Sequence, residues 1–228
     1  MPTQRDEAAR TLYQSIMGEV FIRAYSINTA THTPTIIPQP LIREYCYLQL
    51  RMLCELIALG CLVAHGDITK TKYFQKAYKA DDILQQLERL HPKFYLHPFK
   101  PEFLPPSPVE PFGRLNMSDR DQDYLTKDDL IKLYAKCGSV LHKGNLRRLL
   151  AINMTPEDNP YREITFWGQK MINLLSAHRI SRVGDRFHLL VFLNLTAPGS
   201  DTGTVQVSIV ENPGTGPDQP QNPQPKRP

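Results

Sequence analysis

The residues best equipped for chemistry lie in "KLYAKCGSVLHKGN", positions 132–145. Around His142 stand Lys127, Lys132, Lys136, Lys143, Arg147 and Arg148, against only Asp128 and Asp129, an excess of four positive charges within twenty-two residues. A histidine that titrates near neutrality inside such an excess suits the binding or cleavage of a phosphodiester chain. The imidazole moves protons and the cations hold phosphates. Near a helix C-terminus the negative end of the macrodipole favours the protonated ring, which fits a proton donor or an imidazolium facing a phosphate. The competing reading makes His142 a helix cap and the lysines a solvated face, which is what most charge runs are.

Gly138 sharpens the question, because a glycine inside a helix costs on the order of 1 kcal/mol relative to alanine. With Ser139 beside it, it allows a neighbouring helix, a second subunit or a phosphate to approach the backbone. Arg51 and Glu55, one turn apart on an earlier helix, are the supporting charges. Their plainest role is a surface ion pair worth a few tenths of a kcal/mol.

These groups must be carried by helices. A first helix is expected from Thr3 to about Ile27, with Ala8, Leu12, Ile16, Val20 and Ile27 on its apolar stripe. "THTPTIIPQP" breaks it, and a long second helix runs from about Pro40 to His65, with Gly66 as its stop. On it Glu44, Leu48, Arg51, Glu55 and Leu62 share a face, a charged seam on an apolar rod. "ADDILQQLERLH" is a short helix. The segment after it, with seven prolines between residues 92 and 111, is an extended connector whose aromatic residues predict packing against the core. Thr126 with Asp129 resembles a capping box and opens the helix of the quoted stretch. A further helix spans about Tyr161 to His178. "RFHLLVFLNLT" and "GTVQVSIVE" then read as two strands.

The expected fold is therefore mainly α, a bundle of about five helices with a C-terminal β-hairpin over 186–211, all in one domain over 1–211. Residues 212–228 hold six prolines and no large apolar side chain, and read as a disordered tail. The net charge of +4 favours neither a histone-like nucleic-acid binder nor an acidic disordered chain, so any basic site is local. Cys46, Cys54, Cys61 and Cys137 make no zinc spacing. The first three, along one helix, are too far apart to pair, so a reduced cytoplasmic protein without metal or other cofactor is expected. The second helix has a clean apolar run of nine residues, Leu56 to Ala64, against the roughly 20 of a membrane span, so no membrane is expected. Glycine-rich phosphate loops, a serine elbow and HExxH are all absent.

"KCGSVLHKGN", at the end of a helix in an all-α core, resembles the signature of HEPN-type domains, an arginine and a histidine separated by four to six residues. Lys136 and His142 occupy those positions here, with Asn145 close behind. The resemblance implies an RNA-binding domain or metal-independent endoribonuclease of the kind found in bacterial defence and toxin systems, acting as a homodimer. His142 would be its acid/base residue and Lys136 its phosphate contact, with Lys132, Lys143, Asn145, Arg147 and Arg148 binding RNA. The chain departs from the pattern in its lysine, a point charge without the bidentate fork of arginine. The second reading is a non-catalytic helical interaction module, an antitoxin, sensor or scaffold that pairs with itself or with another protein.

Overall fold

The second helix organises the molecule. The computed structural model describes residues 2–65, 79–108, 111, 113–142, 161–181, 187–194 and 205–211. Among these, α1 is Gln4–His32, α2 Gln39–Ala64, α3 Ala80–Leu90, α4 Lys127–Leu141 and α5 Arg162–Leu175. The strands are β1 His97–Leu104, β2 Arg114–Asp119, β3 Ala177–Ser181, β4 Phe187–Leu193 and β5 Val205–Glu211. α2 is apolar nearly all round from Leu50 to Ala64, and it buries that surface by touching the other four helices and β3. By length and composition it could cross a bilayer, yet 67% of its most apolar window is already covered by the protein. Such a helix is accounted for as the rod of a core.

α1 begins with a complete capping box. The Thr3 hydroxyl accepts from the Asp6 amide, and the Asp6 carboxylate accepts from the Thr3 amide at 2.6 Å. The helix runs to His32, one turn beyond the expected end. Its buried face is Ala9, Tyr13, Met17 and Val20, while Ala8 and Leu12 face water. Val20 and Ile27 of the expected stripe are buried, but in the first half of the helix the buried face is displaced by one residue, because the aromatic ring of Tyr13 and the side chain of Met17 reach α2 at Gly60.

The expected all-helical body with a lone hairpin is incorrect. β4 and β5 do pair antiparallel, but they complete a five-stranded antiparallel sheet in the order β2-β1-β3-β4-β5. Besides Arg114–Asp119, which forms β2, two segments supply the extra strands. The proline-rich connector forms β1, which pairs with β2 over Phe99–Leu104 and with β3 only at His97 and Pro98. Its aromatic residues explain why it stays on the protein: Phe94 and Phe99 are buried, while Phe103 lies out on the sheet. The other segment is Ala177–Ser181, which leaves α5 after Ser176 and turns the end of the expected helix into a central strand. β-branched and apolar residues at alternate positions of β4, Leu189, Val191 and Leu193, are buried and need such a neighbour. The tail from residue 212 lies outside the described residues.

β3 carries the deepest polar contact. His178 is fully buried, its Nδ1–H donating to the Leu175 carbonyl at 3.1 Å, and its Nε2 accepting from the Tyr13 hydroxyl at 2.8 Å. This pair ties the first helix to the sheet, with both ring nitrogens satisfied in the neutral form. Burial pushes the His178 pKa down to about 4, against an ordinary value of roughly 6.5. Between those values the unfolded chain binds the extra proton, so the stabilisation is complete above about pH 6.5 and is lost as the pH falls towards 4. Urea melts should show about 3 kcal/mol of this group's stabilisation disappearing across that window, and His178→Phe should flatten the profile there. At pH 7, Tyr13→Phe should cost about 1–3 kcal/mol by leaving the buried Nε2 without its donor.

Candidate functional site

The basic helix α4 lies against α2, and its Tyr134 and Lys136 enter a polar seam shared with α2 and α5. It starts at Thr126, whose hydroxyl accepts from the Asp129 amide at 3.1 Å. The expected capping box is only half formed. The Asp129 carboxylate turns instead to Lys170 of α5 at 2.6 Å. Burial alone would raise the Asp129 pKa, but the Lys170 ammonium outweighs it and holds the carboxyl below its ordinary range.

Within the seam, the guanidinium of Arg51 donates to the Tyr134 hydroxyl at 2.8 Å and lies 4.3 Å from the centre of that ring. The Tyr134 hydroxyl donates onward to Glu55 at 3.2 Å, and Arg51 Nε stands 3.4 Å from the same carboxylate. Burial, with the Glu55 charge beside it, pushes the Tyr134 phenol up to about 12, so it remains a donor at neutral pH. A parallel set lies one turn away on α2. The Tyr47 hydroxyl donates to Glu163 of α5 at 2.5 Å, and Lys136 reaches the other oxygen of that carboxylate at 3.2 Å. Burial works to raise the Glu163 pKa, but the hydrogen bonds from Tyr47 and Lys136 prevail and lower it. Arg43 closes the row, 5.6 Å from the Tyr47 ring centre.

Gly138 now has a cause. A Cβ at that position would meet Nη1 of Arg51 at 3.1 Å, tighter than ordinary van der Waals contact. The glycine makes room for a guanidinium of the same chain, and neither a phosphate nor a second subunit is needed to explain it. Cys137, on the adjoining buried face, is pushed up to about 12 by burial, which the Arg51 charge only partly offsets, so its thiol is protonated and unreactive.

Arg51 and Glu55 are therefore brought to α4 as an ion pair completed by Tyr134. Lys136 is brought to Glu163. His142 is exposed at the C-cap of α4, its amide donating to the Gly138 carbonyl at 3.0 Å. It stands six residues past Lys136, about 9 Å farther along the axis, and no hydrogen bond or ion pair links the two among the described residues. Lys132 is exposed on the same helix. Lys143, Asn145, Arg147 and Arg148 fall outside the described residues. Sequence reasoning missed Tyr47, Tyr134 and Glu163. The first was legible, since Arg43, Tyr47, Arg51 and Glu55 follow each other at helical i+4 spacing. Glu163, 116 residues from Tyr47, gives no such signal.

The sign of a change at Gly138 depends on Arg51. In a double-mutant cycle, Gly138→Ala should stabilise the protein by about 1 kcal/mol more in an Arg51→Ala background than in the native chain, because only there is the gain in helix propensity free of the guanidinium. Equal effects in the two backgrounds, read from urea melts, would contradict the contact.

No protein-family model matches the chain, and neither a curated protein nor a solved structure matches it, so the HEPN resemblance rests on the residues of "KCGSVLHKGN" alone.

Proposed function

We propose that this protein is a non-catalytic interaction module that pairs with a second copy through the outer face of α1 and α2. One observation carries this reading: Ile22, Ile36, Ile37, Leu41, Tyr45 and Leu48 are each 40–102% exposed on adjoining turns of the α1–α2 hairpin. With roughly 150–200 Å² for a fully exposed side chain of this size, they present about 600 Å² of apolar surface. That is at the upper end of the largest patch on a typical monomer, roughly 300–600 Å², and approaches the roughly 800 Å² that each partner buries in a stable pair. Between the two helices the face dips into a groove of about 710 Å³, lined by Tyr25, Ala30, Pro34, Ile42 and their neighbours. A groove flanked by protruding isoleucine and leucine side chains can receive the same features of a copy related by a two-fold axis.

The polar groups support the same reading from the other side. Lys136, Glu163, Arg51 and Glu55 are engaged with one another and with tyrosine hydroxyls. A phosphate approaching Lys136 would have to displace a carboxylate. The RNA-directed reading keeps one favourable observation, the exposure of Lys132 on α4 and of His142 at its C-cap. In that reading His142 moves the proton and Lys136 would first have to leave Glu163.

Light scattering distinguishes the two. The native chain should run as a dimer at micromolar concentration, and Leu41→Glu with Tyr45→Asp should give a folded monomer. Native protein should leave single-stranded RNA intact. RNA cleavage that disappears in His142→Ala without a change in Tm would favour the nuclease instead.

A further inference from the structure

On the opposite side of α1 from the pairing face, a second cavity of about 290 Å³ opens between α1, α2 and α5. Its floor is aliphatic: Ile27, Leu50, Leu53, Ile164, Met171 and Leu175 line it, all of them buried. Its rim is polar and, among the described residues, carries no fixed charge. Asn28, Thr31 and His32 come from the last turn and a half of α1, and Thr165 and Gln169 from α5. The Thr31 hydroxyl donates to the Ile27 and Asn28 carbonyls and the Gln169 amide nitrogen to Asn173, so the oxygens of both groups keep acceptor capacity. The His32 ring is held through Nδ1 by the Asn28 carbonyl and the Thr31 hydroxyl, each at 2.9 Å, which leaves Nε2 on the outer edge. An apolar recess with a few hydrogen-bonding groups at its mouth is the general form of a small-molecule site, and this one lies at the small end of the usual roughly 300–1,000 Å³.

Gly168 adds a separate reason to regard the recess as functional. It lies in the middle of α5 and lines the cavity, and a Cβ built there meets nothing within 4 Å among the described residues. At Gly138 a neighbour demands the missing side chain. At Gly168 no neighbour does, and a helix-interior glycine carries its propensity penalty while keeping the mouth open.

We propose that this recess binds a neutral amphiphile, a saturated chain of about eight carbons ending in a hydroxyl or amide. The size follows from the volume: at roughly 30 Å³ for each non-hydrogen atom, about nine or ten such atoms fill it. The head group follows from the rim, where amide, hydroxyl and imidazole groups can exchange hydrogen bonds but, among the described residues, no lysine or arginine side chain lines the mouth to meet a carboxylate. The aliphatic floor excludes a polar body.

The test uses the full chain and 1-octanol as probe, titrated by calorimetry at pH 7.5, with octanoate as the second arm. Octanol should bind saturably with one site per chain, and octanoate at least tenfold more weakly. Gly168→Leu, which fills the mouth, should weaken octanol binding at least tenfold, while Gly168→Ala should retain it. If Gly168→Leu does not fold by circular dichroism, Ala24→Leu, from the facing wall, carries the same expectation. Absence of saturable octanol binding, octanoate binding of equal strength, or unchanged affinity in the filled variants would each overturn the proposal. The dimer measured by light scattering involves the other face of α1, so failure of one reading leaves the other standing.

Discussion

An arginine can enter the junction of apolar helices only if its charge and its donors are met there, and Arg51 sets the arrangement around α2 for that reason. Its guanidinium lies against the Tyr134 ring, shares Glu55 with the Tyr134 hydroxyl, and occupies the space that a side chain at position 138 would need. Three features follow from this one group. α4 carries a glycine where it crosses the guanidinium, Tyr134 is a tyrosine rather than a phenylalanine, and Glu55 stands one turn along α2. Removing the Tyr134 hydroxyl or the Glu55 carboxylate would leave a donor or a charge half-buried without its partner, at a cost of about 1–3 kcal/mol.

The same seam divides the molecule's surface by role. Chemistry requires polar groups with capacity left over, and Arg51, Glu55, Lys136 and Glu163 in the seam are engaged with one another and with tyrosine hydroxyls. Association requires apolar area left over, and the outer face of α1 and α2 has it. The buried cysteines point the same way. Burial pushes Cys46 up to about 11 and Cys54 and Cys61 well above their ordinary range, so none is a nucleophile at neutral pH. Among the described residues no group of histidine, cysteine and carboxylate side chains could hold a metal.

How much of this the amino-acid order discloses depends on the range of the interaction. Local signals were legible: the Thr126 cap, the proline entry to α2, the break between α1 and α2, and the pairing of the last two strands. Non-local ones were not. "HPFKPEFL", with two prolines, has no strand signature of its own and becomes β1 because β2 and β3 lie on either side of it. "AHRIS" continues a helical pattern in sequence and becomes a strand because the buried face of β4 requires a neighbour. At the candidate site, the Arg51–Glu55 pair followed from helical spacing, whereas the capture of Lys136 by Glu163 depends on how α5 is placed, which no period in the chain records.

The bond between Tyr13 and His178 and the one from the Gln14 amide to the Val205 carbonyl, at 3.3 Å, join the beginning of the chain to its last strands. During synthesis α1 leaves the ribosome well over a hundred residues before β3 and β5 exist. α2 can cover part of its apolar face early, but the tyrosine hydroxyl and the flank that meets β5 stay open to water until the sheet arrives. Contacts of such sequence separation demand loop closure before they return any stabilisation, so docking of the sheet onto α1 is a late event in folding, and the nascent chain passes through an interval with that helix only half clothed.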